Sequence, residues 1–121
     1  MTPESRKSCS SPGLEGAGDP LLLQAGGLFK ALGDPSRLRL LQVLLEQGAP
    51  LTQGELARLA GLSIPNASKH LNLLHREGLV SRATQGNQVH FAPIQPLVGQ
   101  VCGLVCGFIL DRTEAHWRDI H

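Results

Sequence analysis

The stretch TQGELARLAGLSIPNASKHLNLLHREGLVSRATQGNQVHFAP, residues 52–93, indicates the fold class more clearly than any other part of the chain. Its first four residues form a capping box, because the Thr52 hydroxyl and the Glu55 carboxylate can each satisfy an exposed amide of the other. The box predicts a short helix that ends at Gly61. Ser63 is then placed to cap a second helix, IPNASKHLNLLHRE, directly after a tight turn.

The hydrophobic period changes after this second helix, where LVSRAT and QVHFAP predict two short strands around a Gly86–Asn87 turn. Upstream, Asp19 and Asp34 each precede a proline and open two further helices. Downstream, periodicity predicts a last helix of roughly 20 residues that starts near Gln95. The chain is therefore predicted to be mostly α with a small β-hairpin wing, which is the layout of a DNA-reading winged helix-turn-helix.

Composition divides the chain into two parts. Residues 1–18 are rich in Ser, Gly, Pro and charge, so we predict a disordered N-terminal arm, followed by one domain over residues 19–121. The arm has no apolar segment typical of a secretory signal, and the longest apolar run, Val101 to Leu110, is too short to cross a membrane. We therefore expect a cytoplasmic protein with no membrane partner, in which the three cysteines form no structural disulfide.

The second helix of the pair has the face that we expect at DNA. The formal net charge is only +1, so a DNA-binding surface has to come from local arrangement. One stripe of this helix is apolar and should face the core, namely Ile64, Ala67, Leu71 and Leu74. The predicted DNA-binding residues are polar or basic, namely Ser63, Asn66, Ser68, Lys69, His70, Asn72 and Arg76, with Arg82, Gln85 and Asn87 in the wing. For His70, a phosphate contact and a place at the edge of the core are both open.

The segments LFKALGDPSRLRLLQVLL and ELARLAGLSIPNASKHLNLLHREGLV, with the hairpin, resemble the ArsR/SmtB family of bacterial metal-responsive repressors over about residues 27–92. The resemblance implies a homodimer, built from the first and last helices, that binds double-stranded operator DNA and releases it when an inducer binds. The chain also departs from the family. Ala57 to Leu59 occupy the positions where founding members have a cysteine pair, and residues 95–121 lack the ligand pattern of the last-helix zinc site.

The last helix contains VCGLVCG, residues 101–107, in which Cys102 and Cys106 lie one turn apart on one face. Three glycines run beside them at the same spacing, namely Gly99, Gly103 and Gly107. The remaining face is apolar, with Val98, Val101, Val105, Phe108 and Ile109. A helix that is apolar on nearly every side is normally buried by a partner, so we predict that it lies at the dimer interface.

Cys9 is a third thiol, in an arm that has no core to pack into. Together with Cys102 and Cys106 it can supply three thiolates, a set that suits trivalent arsenic or antimony, As(III) or Sb(III), better than zinc, which prefers four ligands. Cadmium, lead and bismuth are also soft enough. The function predicted is therefore an operator-binding repressor that a thiophilic metalloid or soft metal releases from DNA.

Three alternatives stay open at this point. The same thiols are also typical of a redox-responsive or persulfide-responsive repressor. The tail offers zinc or nickel ligands, although the same residues are typical of a solvated helix end, namely Asp111, Glu114, His116, Asp119 and His121. A protein–protein adaptor would use the fold without DNA. No nucleophile elbow or phosphate-binding glycine loop is present in the sequence, so no enzyme is expected.

Overall fold

The structure, a computed structural model, describes the backbone of residues 19–120 and the side chains as far as Thr113. The elements in this part of the chain are α1 (Pro20–Leu32), α2 (Pro35–Gln47), β1 (Leu51–Thr52), α3 (Gln53–Ala60), α4 (Ile64–Arg76), β2 (Val80–Gln85), β3 (Gln88–Pro93) and α5 (Leu97–Ile120). The predicted arm over residues 1–18, with Cys9, and the last residue, His121, lie outside the described residues.

Each helix of the central trio begins at the capping residue that the sequence predicts. The Asp34 carboxylate accepts from the backbone N–H of Arg37 at 3.1 Å, which opens α2. The capping box opens α3, and the hydrogen bonds from Thr52 lower the pKa of the Glu55 carboxyl below its usual value. The predicted helix starts are confirmed, because each depends on a contact between near neighbours in sequence.

A left-handed glycine makes the tight turn between α3 and α4. Gly61 has a φ of 72°, a conformation that a side chain would disfavour, and its N–H donates to the Arg58 carbonyl at 3.3 Å. Two residues later, the Ser63 hydroxyl accepts from the backbone N–H of Asn66 at 3.2 Å and begins α4. The predicted helix-turn-helix geometry is therefore present.

The sheet has one strand more than the sequence predicts. The predicted hairpin forms from β2 and β3, with Gln85 opposite Gln88 at its tip. The two-residue strand β1 then pairs with the other edge of β3, where Leu51 lies opposite Phe91. The strand order is β1-β3-β2. A strand of two residues has no period of its own, so it becomes visible only through its pairing.

The core lies under α4, where α2, α3, the sheet and the start of α5 meet. Ala67, Leu71 and Leu74 are fully buried there, as predicted. The prediction for Ile64 is wrong, since 55% of its surface is exposed. Ile64 is the first residue of α4, beside the turn, and the buried stripe begins three residues later at Ala67. The last helix starts at Leu97, close to the predicted start.

Candidate nucleic-acid interface and thiol pair

The outward face of α4 carries the amide and ammonium groups that the periodicity predicts. Asn66, Lys69 and Asn72 are all exposed, on the side of the helix opposite the buried stripe. Arg76 is exposed in the last turn of the same helix. The chemistry of this face suits base edges and phosphates in a major groove, and its contact with DNA stays a prediction.

The other predicted residues in α4 or next to it are hydrogen-bonded or half-buried within the protein. The Ser63 hydroxyl is used as the cap of the helix. Ser68 is half-buried. His70 is also half-buried, and its Nδ1 lies 3.4 Å from Nη1 of Arg37 on α2. At least one nitrogen of His70 therefore faces the protein.

A groove of about 500 Å³ joins α4 to the wing and to the first turn of α3. It brings together three of the predicted residues, namely Ser68, Asn72 and Arg82. Arg82 is exposed on β2 and supplies the one charge among the residues that line the groove. Gln85 and Asn87, which are exposed at the tip of the hairpin, are not among the residues that line it.

The same groove includes residues that the sequence reasoning did not select. Thr52, Gln53 and Gly54 line its third side at the start of α3. The first turn of a helix presents backbone N–H groups that favour anions, and the capping box marks that turn in the sequence. Its position beside α4 depends on the packing of the two helices, which no local pattern specifies.

The two thiols of α5 occupy different environments. Cys102 is half-buried and packs against the core, whereas Cys106 is exposed. Burial, followed by the neighbouring Cys106 thiol, raises the pKa of Cys102 above its ordinary value of about 9. One thiol is therefore held by the fold, and the other lies at the surface one turn away.

Helices α1 and α5 both expose large apolar side chains, to an extent that is unusual for a single chain. On α5, Leu104 and Phe108 have exposed fractions of 74% and 62%, and on α1 the exposed fraction of Phe29 is 71%. An apolar cavity of about 140 Å³ lies between the two helices. Of the predicted apolar face, Val98 is buried within its own chain and Val105 is exposed.

Space beside the glycines is open on the same helix. A Cβ built on Gly103 or Gly107 meets no heavy atom within 4 Å, while one built on Gly99 meets the Gln95 side chain at 3.0 Å. Two of the three predicted glycine positions therefore face outward without any neighbour in the described part of the chain.

The structure leaves the predicted ligand sets untested. Within the described residues, no group of three or more His, Cys, Asp and Glu side chains is placed to hold a metal. Cys9, the third predicted thiolate, lies outside them. In the alternative set at the tail Asp111 is exposed, while the side chains of Glu114, His116 and Asp119, and the whole of His121, are not described. The helices of the described region are each too short or too polar to cross a membrane.

Known proteins resemble this chain in sequence and in fold. A family described as a helix-turn-helix domain matches residues 32–82. A probable mercury resistance operon repressor of Streptomyces lividans is 34% identical over 87 residues, which are 72% of this chain and 68% of that protein.

Two solved structures extend the comparison over most of the chain. A homodimeric winged helix-turn-helix DNA-binding domain of Mycobacterium bovis, Mb0332, a possible ArsR-family transcriptional regulator, has a TM-score of 0.71 at 24% identity and covers 88% of this chain and 95% of its own. AntR, an antimony-specific transcriptional repressor, has a TM-score of 0.68 at 25% identity, and the match covers 89% of this chain and 99% of the AntR chain. The predicted winged helix-turn-helix fold is confirmed. The related proteins are transcriptional regulators, which have a non-enzymatic role. The chain belongs to the ArsR/SmtB family of winged helix-turn-helix transcriptional repressors.

Proposed function

We propose that this chain is a homodimeric repressor that binds an inverted-repeat operator and releases it when its thiolates bind As(III), Sb(III) or another soft ion. The observation that carries the proposal is the placement of Cys102 and Cys106 one turn apart on α5, within the apolar surface expected to meet a second copy. The DNA-binding part and the ligand-binding part rest on different residues and are tested separately.

The DNA-binding part is supported by the exposed face of α4 and by the groove beside it. Asn66 and Asn72 present amides suited to base edges, and Lys69 and Arg82 present charges suited to phosphates. In a symmetric dimer, two such helices reach successive major grooves about one helical turn of DNA apart.

The homodimer is supported by the apolar surface of α1 and α5. Phe29, Leu104 and Phe108 are too exposed to stabilise a monomer, and they lie on the two helices expected to form the interface. The open positions beside Gly103 and Gly107 allow a helix of the second copy to approach closely.

The ligand class is supported by the chemistry of the thiols and by the relatives. Thiolate is a soft ligand, and the α5 pair has no charged residue between Leu97 and Leu110 to favour a hard cation. One similar repressor is described as antimony-specific, and another as a probable repressor of a mercury resistance operon. Cys9, from the same or the partner chain, would complete a three-thiolate set for As(III) or Sb(III).

Release of DNA follows if the ligand favours a different spacing of the two α4 helices. Coordination draws the arm and α5 together at the dimer interface, and the two halves of the dimer then fit successive major grooves less well. A coupling free energy of about 1–3 kcal/mol would weaken operator binding roughly 5- to 150-fold.

The test starts from a duplex selected by the wild-type protein from a random-sequence pool. Fluorescence anisotropy then measures the affinity for this duplex with and without arsenite or antimonite, under reducing conditions. We expect Cys102→Ser and Cys106→Ser to bind the duplex as tightly as the wild-type apo-protein but no longer to release it when arsenite or antimonite is added. Cys9→Ser should release the duplex less completely than the wild-type protein. Normal release by the first two variants would show that the sensing site lies elsewhere.

The exposed thiol of Cys106 favours one second candidate, a redox-responsive or persulfide-responsive repressor, because oxidants react with accessible thiols. The two candidates differ in their requirement for an oxidant. Mass spectrometry after peroxide or persulfide treatment would detect the modified thiols, and release under these conditions alone would support the second candidate.

A further inference from the structure

Three helices meet at the side chain of one arginine. Arg37, in the first turn of α2, donates from Nε to the Ala31 carbonyl at 2.7 Å and from Nη2 to the Lys30 carbonyl at 3.2 Å. Both carbonyls belong to the last turn of α1, where the Lys30 carbonyl also accepts from the backbone N–H of Gly33 at 3.1 Å. The third nitrogen, Nη1, lies 3.4 Å from Nδ1 of His70 on α4.

The chemistry of this contact requires an arginine and an acceptor nitrogen. A guanidinium has donors in a fixed planar fork and no acceptor, so it can bridge carbonyls and an imidazole at the same time. His70 completes the fork only when its Nδ1 carries a lone pair. Asp34, which caps α2, supplies a nearby negative charge, and its pKa is lowered mainly by the backbone hydrogen bond from Arg37 and also by the charge of Arg37.

The contact connects two surfaces with different proposed roles. Lys30 directly follows Phe29, which is exposed on the apolar surface of α1. His70 directly follows Lys69, which is exposed on the DNA-facing side of α4. The Arg37 side chain therefore links the end of α1 to α4, next to both surfaces.

We infer that Arg37 is a positioning residue for operator binding, which sets the orientation of α4 relative to α1 through His70. The inference rests on the proposed operator binding. It assigns His70 a role within the protein, in place of a direct contact to a phosphate, and it makes the Arg37 fork part of the path between the dimer interface and the DNA.

The first experiment compares Arg37→Lys with Arg39→Lys in operator affinity and thermal stability. Both substitutions keep the positive charge on α2, and only the first removes the fork to α1 and α4. Arg39 is an exposed control that donates to Gln42 and to the Leu59 carbonyl. At a temperature where both variants are folded, we expect Arg37→Lys to raise the Kd for the selected duplex about 5- to 10-fold, as for one lost hydrogen bond or somewhat more, and Arg39→Lys to leave it within about twofold.

The second experiment tests whether His70 acts through Arg37. Asparagine retains an acceptor oxygen close to the position of Nδ1, whereas leucine has none, so we expect His70→Asn to keep the affinity that His70→Leu loses. The double variant Arg37→Lys/His70→Leu should bind no more weakly than the weaker single variant, because both substitutions break the same contact.

The outcomes separate this inference from the function on which it rests. If no duplex is selected by the wild-type protein, operator binding itself is wrong. If the protein binds DNA but Arg37→Lys and His70→Leu lower only the thermal stability, the contact is merely structural and the inference is overturned. It is also overturned if His70→Asn loses as much affinity as His70→Leu or if the two effects add, since His70 would then act on the DNA independently.

Discussion

The helix α4 and the helix α5 are built in opposite ways. In α4, the apolar stripe is buried within the chain and the polar face is left for solvent or DNA. In α5, among the side chains described as far as Thr113, those at the start of the helix pack on the core, and large apolar side chains such as Leu104 and Phe108 stay exposed. The first helix buries its apolar stripe within one chain, whereas the second leaves much of its apolar surface exposed. We therefore expect the buried stripe of α4 to stabilise the fold and the exposed surface of α5 to stabilise a dimer.

The same substitution in the two helices should have different consequences. Leu71→Ala in α4 removes a fully buried side chain, so we expect it to lower the free energy of unfolding by about 2–5 kcal/mol at every protein concentration. Leu104→Ala in α5 removes a side chain that is 74% exposed, so its effect should come from weaker dimerisation and should depend on protein concentration. Urea unfolding at two concentrations, with sedimentation velocity, distinguishes the two.

A loss of stability for Leu104→Ala that is independent of concentration would contradict this interpretation of α5. The exposed surface would then be covered by another part of the same chain. Leu71→Ala serves as the internal reference, because its effect does not depend on how the chain assembles.

The proposed contact of α4 with DNA is tested by removing one charge from the exposed side of this helix. We expect Lys69→Gln to weaken operator binding about tenfold and to reduce the slope of log K against log salt concentration by about 1, as for one lost phosphate contact. Arg112→Gln makes the same change of charge on α5, where Arg112 lies 5.2 Å from the centre of the Phe108 ring. Its slope should stay at the wild-type value, and equal slopes for the two variants would place Lys69 away from the DNA.

Sequence reasoning succeeded where structure depends on close neighbours along the chain. The caps at Asp34, Thr52 and Ser63 each accept from a backbone amide three residues on, so their sequence pattern is sufficient to place the helix starts. The outward face of α4 also follows from its period. Strand β1 was missed, because two residues become a strand only by pairing with β3, some forty residues later.

In the candidate site, too, the features set by near neighbours in sequence were predicted and those set by packing were not. The exposed amides and charges of α4 were predicted, but the groove that includes Gln53 was not, since it depends on how α3 lies against the sheet. The contact between Arg37 and His70 joins residues 33 positions apart. Sequence analysis left the role of His70 open between the core edge and a phosphate, and only the packing of α2 on α4 shows where its Nδ1 points.

The glycines of α5 offer a test in which stability and assembly change in opposite directions. A Cβ at Gly103 or Gly107 meets no neighbour in the chain, so alanine should stabilise the monomeric helix by about 1 kcal/mol. In a dimer with closely packed helices the same methyl group has to displace the partner, so the dimer should dissociate more readily. Analytical ultracentrifugation and urea unfolding at low concentration measure the two effects separately.

Gly54 is the matched control for this test. It lies in α3, in the groove proposed to face DNA, and a Cβ there also meets no neighbour. Gly54→Ala should stabilise the fold by a similar amount and leave dimerisation unchanged. If Gly103→Ala and Gly107→Ala behave like Gly54→Ala, no helix of a second copy approaches the glycines.

The smallest expected effect is on the pKa of Cys102, the thiol of α5 that packs against the core. Burial raises the pKa of Cys102, and the neighbouring Cys106 raises it further, so at neutral pH Cys102 keeps its proton. We expect the rate of its alkylation by iodoacetamide in Cys9→Ser/Cys106→Ser to rise with pH, with a midpoint above about 9. In Cys9→Ser, where Cys106 is present, the midpoint for Cys102 should lie higher still, as mass spectrometry of the separate peptides would show.

The direction of this shift has a consequence for the ligand. A soft ion has to displace the proton from Cys102 before it binds, so its affinity should increase with pH across the neutral and mildly alkaline range. A midpoint at or below the ordinary thiol value would mean that Cys102 is not held in the core in solution. In that case less of α5 would be anchored to the core, and its contrast with α4, whose apolar stripe is buried, would be larger.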